Sequence, residues 1–180
     1  MRVLESERLK LTPPSLIHTD EMFNVVQECM AELSEFLPWV SESLTRQQLE
    51  LNTQEAASNF SNFVGEFWFS IIEKNTDTFI GAIGFIVRDD SIPCFEIGYW
   101  LRTSKTGFGY VSEAIQLVEE FAFLDKGAKC VEIKMAATNV KSQAVAQRCG
   151  YQQEARLANA RRLPSGELDS TLVFAKTCLS

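Results

Sequence analysis

Two glycines one residue apart, Gly107 and Gly109, stand in the string "TGFGYV" between a run with strand character and a run with helical character. A backbone freed of side chains at a helix start can turn sharply and leave N–H groups open, which suits an anion and most often a phosphate. A P-loop would need GxxxxGK[ST], and the chain has no such string, because Lys105 precedes the glycines. A dinucleotide fingerprint would need a third glycine where Ser112 stands, and its strand would open the chain rather than lie halfway along it. Glu132 has about the spacing of a ribose-binding acid but falls inside a strand-like run.

Other residues could also do chemistry. Glu96 shares a strand face with Gly98 and Trp100 by period-two alternation, and a carboxylate there could take a proton if burial raised its pKa toward neutrality. Its structural alternative is a solvated or salt-bridged strand residue. Gly98, inside a strand, marks a bulge or a close approach by backbone or ligand, or else makes room for a neighbouring aromatic ring. Asn139 is a natural N-cap and Ser142 falls at the third helical position, so both also have a purely structural role available. Tyr151 reads first as core packing.

The elements that must position these residues follow from periodicity. Alternating Leu9 and Leu11 predict a short strand over 6–11, closed by Pro13 and Pro14. Met22, Phe23, Val25, Val26, Met30 and Leu33 recur at helical spacing over 19–33, and a more polar helix is expected over about 45–63. Strands over 66–73, 78–88 and 94–102 are joined by short turn-rich connectors and form an antiparallel meander. Val111, Ala114, Ile115, Val118, Phe121 and Ala122 give the helix after the glycine turn a core-facing stripe. A strand over 130–137 returns parallel to 94–102 by a crossover. A helix over 140–149 is capped by Gly150, and strands 153–162 and 168–176 form a hairpin. The order β-α-α-β-β-β-α-β-α-β-β is an α/β or α+β fold with a mixed sheet, not a doubly wound nucleotide-binding domain.

Composition bounds the rest. The chain has 180 residues, 46% of them hydrophobic, which suits a single domain over residues 1–180. No apolar run approaches the ~20 residues of a membrane helix, and the start "MRVLESERLKL" lacks a signal peptide's apolar core, so a cytoplasmic location is expected. Five cysteines without a CxxC pair suggest neither a zinc site nor a disulfide framework. The single histidine, His18, makes a His-based metal centre or a Ser-His-Asp triad a poor fit. A net charge of −7 argues against a nucleic-acid partner and is compatible with a cationic substrate.

Taken together, "SERLKL", "FEIGYWL", the glycine turn with its helix, and "NVKSQAVAQRCGY" (139–151) resemble the GNAT superfamily of acyl-CoA-dependent N-acetyltransferases. Within it the chain is most similar to the ribosomal-protein N-terminal alanine or serine acetyltransferases. The resemblance covers essentially the whole chain. It implies a mixed, mostly antiparallel, seven-stranded sheet flanked by about four helices, acetyl-CoA as co-substrate and no metal. The CoA pyrophosphate would lie on the glycine turn, against backbone N–H groups of Thr106, Gly107, Phe108, Gly109 and Tyr110. Pantetheine would insert like an extra strand where strand 94–102 splays from its neighbour, against Tyr99, Trp100, Leu101 and Arg102, with a backbone N–H polarising the thioester. Asn139 and Ser142 would contact the cofactor and Ser142 would also serve the departing thiolate; Glu96, placed by its strand face, is the candidate to take the amine's proton.

The implied reaction is direct acetyl transfer to a primary amine, most simply the α-amino terminus of a protein such as a ribosomal protein. Alternatives are a small-molecule amine or a non-catalytic acyl-CoA-binding module, and the chain would be a monomer or homodimer. The family's turn, [Q/R]xxGx[G/A], finds Ser104 where Gln or Arg is usual, and Thr106 just before Gly107. Lys105 or Arg102 stands nearby as a substitute cation.

Overall fold

The structure, a computed structural model, describes residues 3–88 and 91–179. Met1 and Arg2 of the start, Asp89 and Asp90 of the expected connector, and Ser180 lie outside the described residues. The strands are β1 (Leu4–Glu5), β2 (Leu9–Thr12), β3 (Gly65–Glu73), β4 (Thr78–Val87), β5 (Cys94–Leu101), β6 (Cys130–Ala136), β7 (Gln152–Arg162) and β8 (Leu168–Lys176). The helices are α1 (Thr19–Glu28), α2 (Met30–Leu33), α3 (Arg46–Asn62), α4 (Tyr110–Glu120) and α5 (Val140–Arg148). Among the described residues no helix is long and apolar enough to cross a membrane.

The strands make one sheet in the order β1-β2-β3-β4-β5-β6-β8-β7, antiparallel throughout except for the parallel pair β5/β6. This is the expected mixed sheet with eight strands instead of seven. The extra one, β1, is two residues long, too short for alternation to register. The stripe over 19–33 is interrupted at Cys29, whose backbone (φ −105°, ψ 18°) departs from the helix, so it forms α1 and α2.

Alternation sorts the sheet's side chains onto two faces. Phe67, Phe69, Ile83, Phe85 and Ile97 pack with Ile115 and Val118 of α4 in the larger core. Met22, Val25 and Val26 of α1 pack with Phe79, Ala82 and Leu49 on the other face. Each large side chain buried this way contributes roughly 1.5–3 kcal/mol. The Thr45 side chain caps α3 by accepting from the Gln48 N–H at 3.1 Å, and Phe63 ends it in the left-handed region at φ 53°. That unusual conformation is held by an aromatic cluster, with Phe63 against Phe67, Phe85, Phe95 and Phe121.

The reading of the cysteines needs correction. Cys94 and Cys130 form a disulfide. They stand opposite one another at the first rung of the β5/β6 ladder, a proximity set by the crossover and invisible in their 36-residue separation. Cys29 is buried, while Cys149 and Cys178 are free thiols that are half-buried and exposed.

Candidate active site

The parallel ladder between β5 and β6 has only three rungs, Cys94/Cys130, Phe95/Val131 and Glu96/Glu132. Beyond Glu96, β5 stays paired with β4 as far as Leu101, and β6 stays paired with β8 as far as Ala136. The two strands therefore part, and the inner edge of β5 from Ile97 onward has no strand to bond. An unpaired edge inside a sheet is a template for an extended, amide-bearing ligand. Tyr99 reaches across this opening, its hydroxyl donating to the Ser142 carbonyl at 3.4 Å. Burial, opposed in part by the Ser142 side chain, pushes the Tyr99 phenol up to about 12, so it stays a neutral donor near pH 7.

At the wide end of the opening lies the glycine turn. A 3₁₀ turn, Thr103–Lys105, leads into Gly107 and Gly109, both left-handed at φ 85° and 82°, and Gly109 caps α4. Among the described residues the N–H groups of Gly107, Phe108, Gly109 and Tyr110 have no protein acceptor, whereas the Thr106 N–H already donates to the Thr103 carbonyl. A side chain at Gly107 would meet open space. With the positive end of α4 behind it, this is an anion cradle of four open N–H groups, one fewer than expected.

The nearby cations are engaged elsewhere. Arg102 clasps Glu28 through Nε at 2.9 Å and Nη2 at 2.5 Å, and its N–H donates to the Ile80 carbonyl. Lys105 Nζ bonds the Glu73 carboxylate at 2.6 Å, which also accepts from Tyr110 OH and from Thr76 at 2.7 Å. These three donors, Lys105 foremost, hold Glu73 down to about 2. A second brace starts at Arg8, which donates to the Phe108 carbonyl at 3.0 Å and to Glu113 at 2.7 Å and lies over the Tyr110 ring at 4.6 Å. Ser6 completes it by donating to Glu113 at 2.5 Å. Sequence reasoning did not single out Glu73, Arg8 or Glu113. The contact from Arg8 to Glu113 spans 105 residues, and only the order of the strands brings them together.

On the face opposite α4 a cavity of about 730 Å³ opens beside β5. Gly98 pairs with Gly84, so two adjacent positions on the face have no side chain, and a Cβ on Gly98 would meet nothing within 4 Å. Gly98 therefore makes a hollow floor; it neither marks a bulge nor makes way for an aromatic ring. Gly84 has a different reason: a Cβ there would lie 2.0 Å from the Phe67 carbonyl oxygen. Trp68, Trp39 and Trp100 stand in the wall, the last two edge to face with centroids 6.0 Å apart. The β7/β8 turn closes one side through Arg161 and Leu163.

Glu96 lies on the same face, one row along from Gly98. Its carboxylate accepts from Arg88 Nη2 at 2.8 Å, and Lys134 Nζ stands 3.4 Å away and also pairs with Glu132 at 2.7 Å. The salt-bridged alternative is thus realised, beside the cavity floor. At the start of α5 the Asn139 side chain accepts from the Ser142 N–H at 3.0 Å, the expected N-cap. The Ser142 side chain lies beside the Tyr99 phenol. Tyr151 is buried in the core, as its structural reading held.

The arrangement fits acetyl-CoA: open N–H groups at a helix start for the phosphates, an unpaired strand edge for the pantetheine amides, and a hollow where edge and cavity meet. Residues 8–152 match the family model for the acetyltransferase (GNAT) domain, and the chain belongs to that family. It is an acetyl-CoA-dependent N-acetyltransferase.

Among its relatives is an N-acetyltransferase of Bacillus licheniformis named p20, 26% identical over 178 residues, covering 97% of this chain and 96% of the relative. Another is the ribosomal-protein-serine acetyltransferase of Escherichia coli K12, 29% identical over 163 residues and covering 88% and 87%. Among solved structures, the ribosomal L7/L12 α-N-protein acetyltransferase RimL in complex with coenzyme A superimposes with a TM-score of 0.91 at 21% identity, covering 98% of both chains. The microcin C7 self-immunity acetyltransferase MccE, in complex with acetyl-CoA and AMP, gives 0.87 at 23% identity, covering 96% and 94%. Both likenesses speak to the fold.

Proposed function

We propose that the chain acetylates the α-amino group of a protein N-terminus, with a ribosomal protein the leading candidate, by direct attack in a ternary complex. The observation that carries this reading is the hollow at Gly98, where the cavity beside β5 meets the open edge of the same strand. An amine entering from the cavity and a thioester lying along the edge would come together there. The Escherichia coli relative, named for acetylating a ribosomal protein, supports the choice of acceptor.

Acetyl-CoA supplies an activated acyl thioester. The chain's own groups orient it: the N–H groups of Gly107 to Tyr110 hold its anionic end, and a β5 N–H near Tyr99 donates to the thioester oxygen. Such a donor contributes about 2.7–4 kcal/mol in comparable sites. Glu96 takes the amine's proton, directly or through a water, because the next row on one strand face lies about 7 Å away. Ser142 offers its hydroxyl to the departing sulfur, and Asn139 holds the first turn of α5 in place for it. An α-amine, with pKa ~7.7–8.0, is about a tenth free at pH 7, whereas a lysine amine near ~10.4 is almost wholly protonated.

The test is thiol release from acetyl-CoA over a panel of Ser- and Ala-initiated peptides, their N-terminally blocked forms, polyamines and free amino acids. Turnover confined to peptides with a free α-amine is expected. Turnover of a small-molecule amine alone would overturn the protein-acceptor reading.

A further inference from the structure

Eight cations of this acidic chain are matched by carboxylates. Arg8, Arg46, Lys74, Arg88, Arg102, Lys105, Lys134 and Lys176 each stand in an ion pair. Arg161 is not among them: it is half-buried in the cavity wall, and among the described residues its guanidinium has neither an ion pair nor a hydrogen bond. Its neighbour Arg162 also borders the cavity but is exposed and already bonded, donating to the Gly166 carbonyl at 2.6 Å within the hairpin. The ladder slips between Leu157 and Arg161, where Asn159 takes a left-handed backbone at φ 51°. Bulges of this kind re-aim the side chains that follow them.

A guanidinium withdrawn in part from water and left without a partner is costly unless a ligand completes it. A second donor in the same wall, the indole N–H of Trp68, has no acceptor either. The same cavity is lined by the aromatic and apolar Phe36, Trp39, Trp100 and Ile86, with Asn52, Glu55, Asn59 and Glu66 also bordering it.

We propose that the acceptor carries an anionic group beside its amine, a carboxylate or a phosphate seated on Arg161, and an aromatic or large apolar body packed among Trp39, Trp68 and Trp100. This rests on the acetyltransferase reading of the same cavity and narrows its substrate class. The anion fixes the body of the acceptor at the hairpin side and leaves the amine to reach the floor at Gly98. It also gives discrimination against neutral analogues, since those would leave the arginine unpaired in the closed complex.

Binding is followed by quenching of the cavity tryptophans in the CoA-saturated protein, with three matched pairs as probes. L-phenylalanine against L-phenylalaninamide places the charge on the first residue, and Phe-Glu-amide against Phe-Gln-amide places it on the second. O-phosphotyramine against tyramine makes it a phosphate. At least one anionic probe should bind about tenfold more tightly than its neutral partner. Arg161→Gln should erase that preference without shifting the melting temperature, and Arg162→Gln should preserve it. Equal binding within all three pairs, or a preference that survives Arg161→Gln, would overturn the proposal. Thiol release from acetyl-CoA, read in the same samples, judges acetyl transfer separately: discrimination without release leaves the anion seat standing and removes the acceptor reading, and release without discrimination does the reverse.

Discussion

At the scale of single residues, groups that touch the reaction differ from groups that shape the hollow around it. Glu96→Gln keeps the size of the side chain and removes its basicity, so kcat should fall about 10²–10⁴-fold while the acetyl-CoA Kd, measured by calorimetry, stays unchanged. A fall in acetyl-CoA affinity with kcat intact would make Glu96 a structural ion-pair residue of the Arg88 and Lys134 cluster. The two floor glycines give a sharper contrast. Gly98→Val adds a side chain where nothing lies within 4 Å, so folding should be unaffected while the acceptor KM rises at least about tenfold. Gly84→Ala drives a Cβ into the β3 backbone and should cost more than about 2 kcal/mol in chemical denaturation, with no comparable selectivity for the acceptor. The special status of Gly98 was legible in its strand context. Its reason was not, because whether a missing Cβ faces a ring, a backbone or an open cavity depends on what the neighbouring elements leave there.

At the scale of elements, the glycine turn works because it is tied from two sides. Glu73, at the end of β3, holds Lys105 before the glycines and Tyr110 after them, and Arg8 from the N-terminal segment holds Phe108 and Glu113. Gly109→Ala forces a β-carbon into a left-handed cap, roughly 1–2 kcal/mol of strain, and should weaken CoA binding more than it lowers turnover at saturating acetyl-CoA. The Glu73 brace carries a pH signature. Because the folded value, about 2, lies below the ordinary 4.5, its stabilisation is complete above pH 4.5 and is lost as pH falls toward 2. The melting temperature of the wild type should therefore drop faster over that window than that of Glu73→Gln, which lacks the titrating group. Parallel curves would show that the brace contributes nothing. Both braces were hidden in the sequence for one reason: ion pairs between residues far apart leave no periodic trace. The strands and helices leave strong ones, so residues 94–101, 130–136, 140–148 and 168–176 fell within a residue or so of their expected bounds.

At the scale of the whole molecule, one parallel pairing in an otherwise antiparallel sheet creates the site. The crossover through α4 brings β6 beside β5, the hairpin β7/β8 draws β6 away again, and the opening between them faces the cavity built by α1, residues 36–39, α3 and the hairpin turn. The meander, the crossover and the family were readable from motif order, since each reflects local patterning at a set spacing. The disulfide, the two-residue β1 and the unpaired Arg161 were not, because they depend on which distant segments end up adjacent. The opening also explains why a single short ladder must carry the junction: three rungs, closed by Cys94 and Cys130, hold the narrow end while the wide end stays free for a ligand. The central claim concerns which amine meets that ligand, and one peptide tests it directly. A Ser-initiated peptide with a free α-amine and an internal lysine, incubated with the protein and acetyl-CoA near pH 7, is mapped by fragment mass spectrometry. The account predicts a single acetyl group on the α-nitrogen; acetylation of the lysine alone, or of neither amine while a small-molecule amine is consumed, would contradict it.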